Sequence, residues 1–221
     1  LQAYAESDFY PFHMPGHKRN TALLPDALPY KLDITEIDGF DNLHAPEGIL
    51  KELNNRLAAL YKSVASFALV NGSTVGILAG MRAAAAPESA VLVARNVHRS
   101  VCNALELLRL KPVWLSPKAD SETGIAGGIA ESDVRRALKE HPEVRLVVLT
   151  SPTYDGVISD IASIVKAAHE KNVPVLVDEA HGAHLQFCGL LTFSGVSNKA
   201  DIVIQSLHKL SLIHISELTR H

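Results

Sequence analysis

The stretch Val175 to Phe187 reads VLVDEAHGAHLQF, an apolar run that ends in two carboxylates, Asp178 and Glu179, and then two histidines, His181 and His184. A carboxylate at the end of a buried strand must be paired or stay protonated, because an isolated charge is costly away from water. A protonated nitrogen is one partner and a metal is another. His181 and His184 stand three apart and could ligate zinc with a carboxylate, but that spacing is weak and the H-E-x-x-H pattern is absent. Other reactive residues also follow apolar runs. The segment NGSTVGILAG (Asn71 to Gly80) opens with Gly72, Ser73 and Thr74, which suit either a phosphate at a helix start or an ordinary N-cap by Ser73 or Thr74. No Gly-Lys-Ser/Thr follows, so it is not a Walker A loop. Taken alone, His98 in RNVHRSV reads as a cap or surface residue, and TSPTYDG (Thr150 to Gly156) as a turn that leaves Thr153 and Tyr154 at the same sheet edge. Lys209 in QSLHKL follows a further apolar run; burial there would favour the neutral amine that attacks carbonyls, although a solvated strand-end lysine is the plainer reading of it singly.

Together these residues describe one chemistry. A hydroxyl-rich helix start for a phosphate, an acid after one parallel strand and a lysine after the next are the handles of a pyridoxal 5′-phosphate site. Asp178 would keep the ring nitrogen protonated and Lys209 would condense with the aldehyde.

For these residues to converge, the chain must be an α/β domain with a mostly parallel sheet, in which ligands gather at the carboxyl ends of the strands. Amphipathic periodicity predicts helices over Glu47–Tyr61, Thr74–Ala86, His98–Leu110, Glu131–Glu140 and Ser159–Lys171. Between them lie six strand candidates: Phe67–Val70, Val91–Ala94, Val113–Leu115, Leu146–Thr150, Val175–Val177 and Ile202–Ile204. Residues 1–46 hold five of the eleven prolines and little periodicity, so they read as an N-terminal arm ahead of a domain over 47–209. The arm's His13, His17 and His44 fit no compact ligand set, and no metal is expected.

Composition narrows the function classes. The chain has 221 residues, 47% of them hydrophobic, and a formal charge of −3 with its basic residues scattered. No apolar run approaches the roughly 18 to 20 residues of a membrane span. Neither nucleic acid nor a membrane is expected as partner, and a small-molecule site is. Cys102 and Cys188 form no C-x-x-C pair and no disulfide framework, which fits a reducing, cytoplasmic setting. No signal peptide is visible, and because Leu1 is no initiator, residues upstream are expected.

The residues that carry these expectations also resemble a known family. FHMPGHK (Phe12 to Lys18), DITEIDGFDNLHAPEGIL (Asp33 to Leu50), NGSTVGI, RNVHRSV, SPTYDGV, VLVDEAHGAH and SLHK are similar, in order, to the fold-type I Orn/Lys/Arg decarboxylases, specifically the short bacterial type. The resemblance implies that Ser73, Thr74 and Ser206 hold the cofactor phosphate, that His98 stacks on the ring, and that Asp178 pairs with its nitrogen. It implies further that His181 lies against the cofactor, that Lys209 is the amine bound to it, and that His208 is a candidate proton donor. His184, Tyr154 and Glu179 keep their plain structural readings. The implied reaction is decarboxylation of arginine, lysine or ornithine to a polyamine precursor, by a homodimer or larger homo-oligomer. An aminotransferase or carbon–sulfur lyase on the same fold, a non-catalytic partner of an active decarboxylase, and a metal-dependent hydrolase on His181 and His184 are the rivals. After Lys209 the chain departs from the family: LSLIHISELTRH (210–221) reads as a non-native tail. A last strand and a C-terminal small domain are then missing, which leaves a sheet edge unpaired.

Overall fold

The computed structural model describes residues 1–20, 29–187 and 193–209. Cys188 and the 210–221 tail lie outside them. The chain divides into two compact units, Leu1–Ala59 with Ala65–Phe67, and Leu60–Val64 with the chain from Ala68 onward.

In the first unit, short helix α1 (Gln2–Ala5) leads into irregular chain, and α2 spans Ile49–Tyr61. The Asp41 carboxylate accepts the backbone N–H groups of Leu50, Glu47, Asn42 and Gly48 at 2.7 to 3.0 Å, so it anchors the entry to α2. These bonds, led by that of Glu47, hold its pKa at about 2. The Arg19 guanidinium donates to the carbonyls of Tyr4, Ala5, Ser7 and Phe9 and lies over the Tyr4 ring at 4.4 Å. His13 is engaged by the Tyr4 hydroxyl at 2.5 Å, and His17 by Asp33 at 3.3 Å. Among the described residues, no group of three or more His, Cys, Asp or Glu is placed to hold a metal ion.

The second unit contains a parallel sheet of β1 (Ala90–Ala94), β2 (Lys111–Leu115), β3 (Val144–Thr150), β4 (Val175–Asp178) and β5 (Ile202–Ile204), in the order β2-β1-β3-β4-β5. Runs such as LVVL (Leu146 to Leu149) within β3 are apolar on both faces because parallel strands are covered on both sides. Helices α3 (Gly72–Ala84) and α4 (Arg99–Leu107) cover one face, where Ile77, Met81, Val101 and Ala104 pack on Val91, Val93, Leu146, Val148 and Leu176. Helices α5 (Glu131–Glu140) and α6 (Ile161–His169) cover the other, where Val134, Leu138, Ile161, Ile164 and Val165 meet Leu92, Val147, Leu149, Val175 and Val177. Full burial of each such side chain contributes about 1.5 to 3 kcal/mol.

Local sequence explains the helices. In α5, Glu131 and Asp133 fall in the first turn and Lys139 in the last, matching the helix dipole, while Val134, Ala137 and Leu138 supply the inward stripe. Asp160 caps α6 by accepting the Ser163 N–H at 3.1 Å. Gly76 and Gly80 bring α3 close to β4 and β5: a Cβ on Gly80 would stand 2.9 Å from Leu176 Cδ1 and 3.1 Å from Ile202 Cγ2.

Two expectations require correction. Phe67–Val70 forms no strand; Phe67 and Val70 are 74% and 75% exposed, and among the described residues β5 has a sheet neighbour on one side only. Among the described residues no strand offers that segment a ladder, and apolar, β-branched composition cannot make one without a partner. Helix α3 starts two residues earlier than predicted, at Gly72, with Asn71 rather than Ser73 or Thr74 as its N-cap.

Candidate functional site

The carboxyl ends of β1, β3, β4 and β5 and the start of α3 enclose a cavity of about 240 Å³, lined by Ser73, Asn96, Val97, His98, Thr150, Tyr154, Asp178, Ala180, His181 and Lys209. In a parallel sheet the residue after each strand emerges at this edge, so segments distant in sequence deliver their side chains to one place.

After β1, His98 is the N-cap of α4. Its Nδ1 accepts the Ser100 N–H at 3.2 Å and lies 2.9 Å from the Ser100 hydroxyl. The two sequence readings of His98, cap and site residue, therefore describe one residue. After β3, the segment TSPTYDG is a turn: the Thr153 N–H donates to the Val157 carbonyl at 2.9 Å, and Gly156 takes a φ of +83°. Thr153 is consumed by that turn, whereas the Tyr154 ring meets His181 edge-on with centroids 5.8 Å apart.

After β4, Asp178 is 4% exposed and its Oδ1 accepts the Ala180 N–H at 3.2 Å. Burial raises its pKa above the usual carboxylate value, against the pull of that N–H and of His98, Lys209 and His181. A buried acid in this condition suits a cationic partner. His181 shifts the other way: burial first, then the Lys209 charge, lowers its pKa despite the attraction of Asp178. Its neutral ring can then accept at Nε2 from Lys209 Nζ, 3.2 Å away.

After β5, Ser206 and a 3₁₀ turn at Leu207–Lys209 carry the chain past the cavity. Ser206 is buried, and its hydroxyl has no hydrogen-bond partner among the described residues; the same holds for Thr150 Oγ1 and Asn96 Oδ1. Buried polar atoms are normally satisfied, so three at one sheet edge mark where a polar ligand is wanted.

The structure thus brings Ser73, His98, Asp178, His181 and Lys209 to one cavity. Thr74 and His208 are exposed and do not line it. Successive residues diverge by about 100° on an α-helix and about 120° in a 3₁₀ turn, so Ser73 excludes Thr74 and Lys209 excludes His208. His184 is also absent from the lining, which separates it from His181. Asn96 and Thr150 went unnoticed in the sequence; their place directly after apolar runs was the available signal.

Residues 1–217 match the family model described as Orn/Lys/Arg decarboxylase, major domain. The chain is 39% identical over 214 residues to protein YaaO of Bacillus subtilis, and 36% identical over 216 residues to the arginine decarboxylase of that organism. These matches cover 95% of this chain in each case, and 45% and 44% of the relatives, so the chain spans under half the length of either. Among solved structures, the E. coli constitutive lysine decarboxylase superposes with a TM-score of 0.77 at 26% identity, covering 95% of this chain and 33% of that one.

Proposed function

The chain belongs to the Orn/Lys/Arg decarboxylase family, and on that premise we propose that it forms part of the pyridoxal 5′-phosphate-binding domain of an enzyme that decarboxylates a basic amino acid. The observation that carries the reading is the convergence of Lys209 and Asp178 on one cavity that also holds Ser73 at the start of α3. The family's fold, that of fold-type I pyridoxal phosphate enzymes, supports the cofactor. So do unsatisfied buried groups: Thr150 Oγ1 and Asn96 Oδ1 in the cavity lining, and Ser206 Oγ, which lies just after β5 and outside that lining, are hydrogen-bonding atoms without partners among the described residues.

When bound, pyridoxal phosphate supplies an aldehyde that condenses with amines and a protonated pyridine ring that accepts electrons. In this reading Lys209 is the amine that carries the group. Asp178 would pair as a carboxylate with the protonated ring nitrogen, a cation that would offset the cost of its burial. The backbone N–H groups at the start of α3, with Ser73 and Ser206, hold the phosphate, because the first N–H groups of a helix lack intrahelical acceptors. His98, the N-cap of α4 and part of the cavity lining, would help to hold the ring. His181 keeps a neutral nitrogen beside Lys209 Nζ, ready to take its proton.

Because the relatives are more than twice as long, the activity is assigned to a longer protein that contains this chain, and the 221 residues alone are expected to be inactive, prone to associate and weak in cofactor binding. The test is to add pyridoxal phosphate to the longer protein, reduce with borohydride and map the labelled peptide. The label belongs on Lys209, and carbon dioxide release should be compared across arginine, lysine and ornithine. A label elsewhere, or keto acid instead of carbon dioxide, removes the assignment.

A further inference from the structure

Glu179 follows Asp178 but does not line the cavity, and nothing in the chemistry above uses it. It is fully buried. Its carboxylate gathers three neutral donors from two separate segments. Ser194 Oγ at 3.0 Å and the Gly195 N–H at 2.5 Å lie ahead of β5, and Gln205 Nε2 at 2.8 Å lies just after it. Burial raises its pKa against the pull of these donors. The carboxylate offsets that cost by satisfying three donors, and in doing so it ties together the two segments that carry them.

That geometry bears on the lysine. β5 has three residues and, among the described residues, pairs with the sheet only through β4. The Glu179 N–H donates to the Ile204 carbonyl at 2.8 Å and extends the pairing one step. Gln205, gripped by the Glu179 side chain, comes next, then Ser206 and the turn whose last residue is Lys209. A three-residue edge strand by itself holds its continuation weakly.

We propose that Glu179 is a positioning residue for Lys209: its carboxylate clamps the loop before β5 to the segment after it and so fixes where the amine stands in the cavity. The proposal rests on the pyridoxal reading of that cavity. Glu179→Gln keeps the volume but sets an amide among donors that need acceptors, and Gln205→Ala opens the clamp from its other jaw. In the longer protein at saturating pyridoxal phosphate, both variants should accumulate the borohydride-fixed label on Lys209 about tenfold more slowly or worse, the scale expected of a misplaced reactive group. The double variant should lose little more, because both act on one clamp. Far-UV circular dichroism should remain that of wild type. A folded Glu179→Gln protein labelled at the wild-type rate overturns the proposal. If that variant does not fold, Gln205→Ala decides: slow labelling supports the clamp and wild-type labelling ends it. Failure of the wild-type protein itself to label at Lys209 strikes the pyridoxal reading instead, a result distinct from either.

Discussion

Lys209 Nζ stands 3.2 Å from His181 Nε2, and His181 is the partner whose pKa is lowered. Burial and the lysine charge both disfavour a cationic ring there, so at neutral pH the imidazole accepts and the amine donates. His181→Phe keeps an aromatic ring against Tyr154 but removes the acceptor. A positioned proton acceptor contributes about a hundredfold or more to a step that moves a proton, so the rate of Lys209 labelling by pyridoxal phosphate and borohydride should fall at least about tenfold. The wild-type rate should also drop more steeply in acid than that of the variant, because a protonated His181 can no longer accept the proton of Lys209. Parallel pH profiles for the two proteins would remove His181 from this role.

Asp178 sets stability against function. Its pKa is raised in the folded protein, so between the ordinary carboxylate value and the raised one the folded state binds the extra proton. Stability from this group is therefore lost as pH rises through that window, and above it the burial penalty is complete. Asp178→Asn keeps the shape and an oxygen for the Ala180 N–H while removing the charge. Without cofactor, the variant should melt higher than wild type near pH 7, and its advantage should vanish as pH falls toward the ordinary carboxylate range. With cofactor, in the longer protein, it should lose on the order of a hundredfold in decarboxylation, about 2.7 kcal/mol of barrier. Thermal melts across pH, set beside turnover, check both halves; a variant that melts lower at every pH contradicts the burial argument.

The contrast between Asp178 and Thr74 shows what the sequence can convey. β1, β3 and β4 were legible because strands buried on both faces read as unbroken apolar runs, and the residues at the ends of such runs or within four beyond them include Asp178 and His98. Phe67–Val70 has the same composition yet forms no strand, since composition is silent on whether a neighbouring strand exists. The start of β2 was hidden by Lys111 and Pro112, residue types suited to an edge strand but poor strand signals. Within the site, adjacency misled. Thr74 and His208 neighbour residues that face the cavity, and helical geometry turns them away. Asn96 and Thr150 escaped because both residue types are common after strands, and only burial without a partner distinguishes them.

Thr150 offers a test of that distinction. An unsatisfied buried hydroxyl costs about 1 to 3 kcal/mol, so Thr150→Val, which keeps the branched shape, should leave the cofactor-free protein as stable as wild type or more so. The same change should weaken pyridoxal phosphate binding by about fivefold to tenfold, the loss of one hydrogen bond of about 1 kcal/mol or slightly more. Cofactor titration followed by absorbance, together with denaturant melts, measures both. Lower stability with unchanged cofactor affinity would mean that the hydroxyl serves the fold and not the ligand.

Gly182 joins the packing of the domain to the geometry of the site. A Cβ placed on it would stand 2.5 Å from Glu179 Cγ, 2.7 Å from Pro152 Cδ and 3.0 Å from Leu185 Cδ1. The proline ring cannot rotate away, and the glutamate is held by donors on either side of β5, so neither neighbour yields cheaply. Overpacking of this kind costs about 1 to 3 kcal/mol. Gly182→Ala should therefore lower the melting temperature by several degrees and, by pushing Glu179, slow labelling of Lys209 as well. Gly16 provides the control, since nothing lies within 4 Å of where its Cβ would be. Gly16→Ala should match wild type in melting. If Gly182→Ala melts and labels like the Gly16 control, the close approach of this turn to Glu179 does not exist in solution.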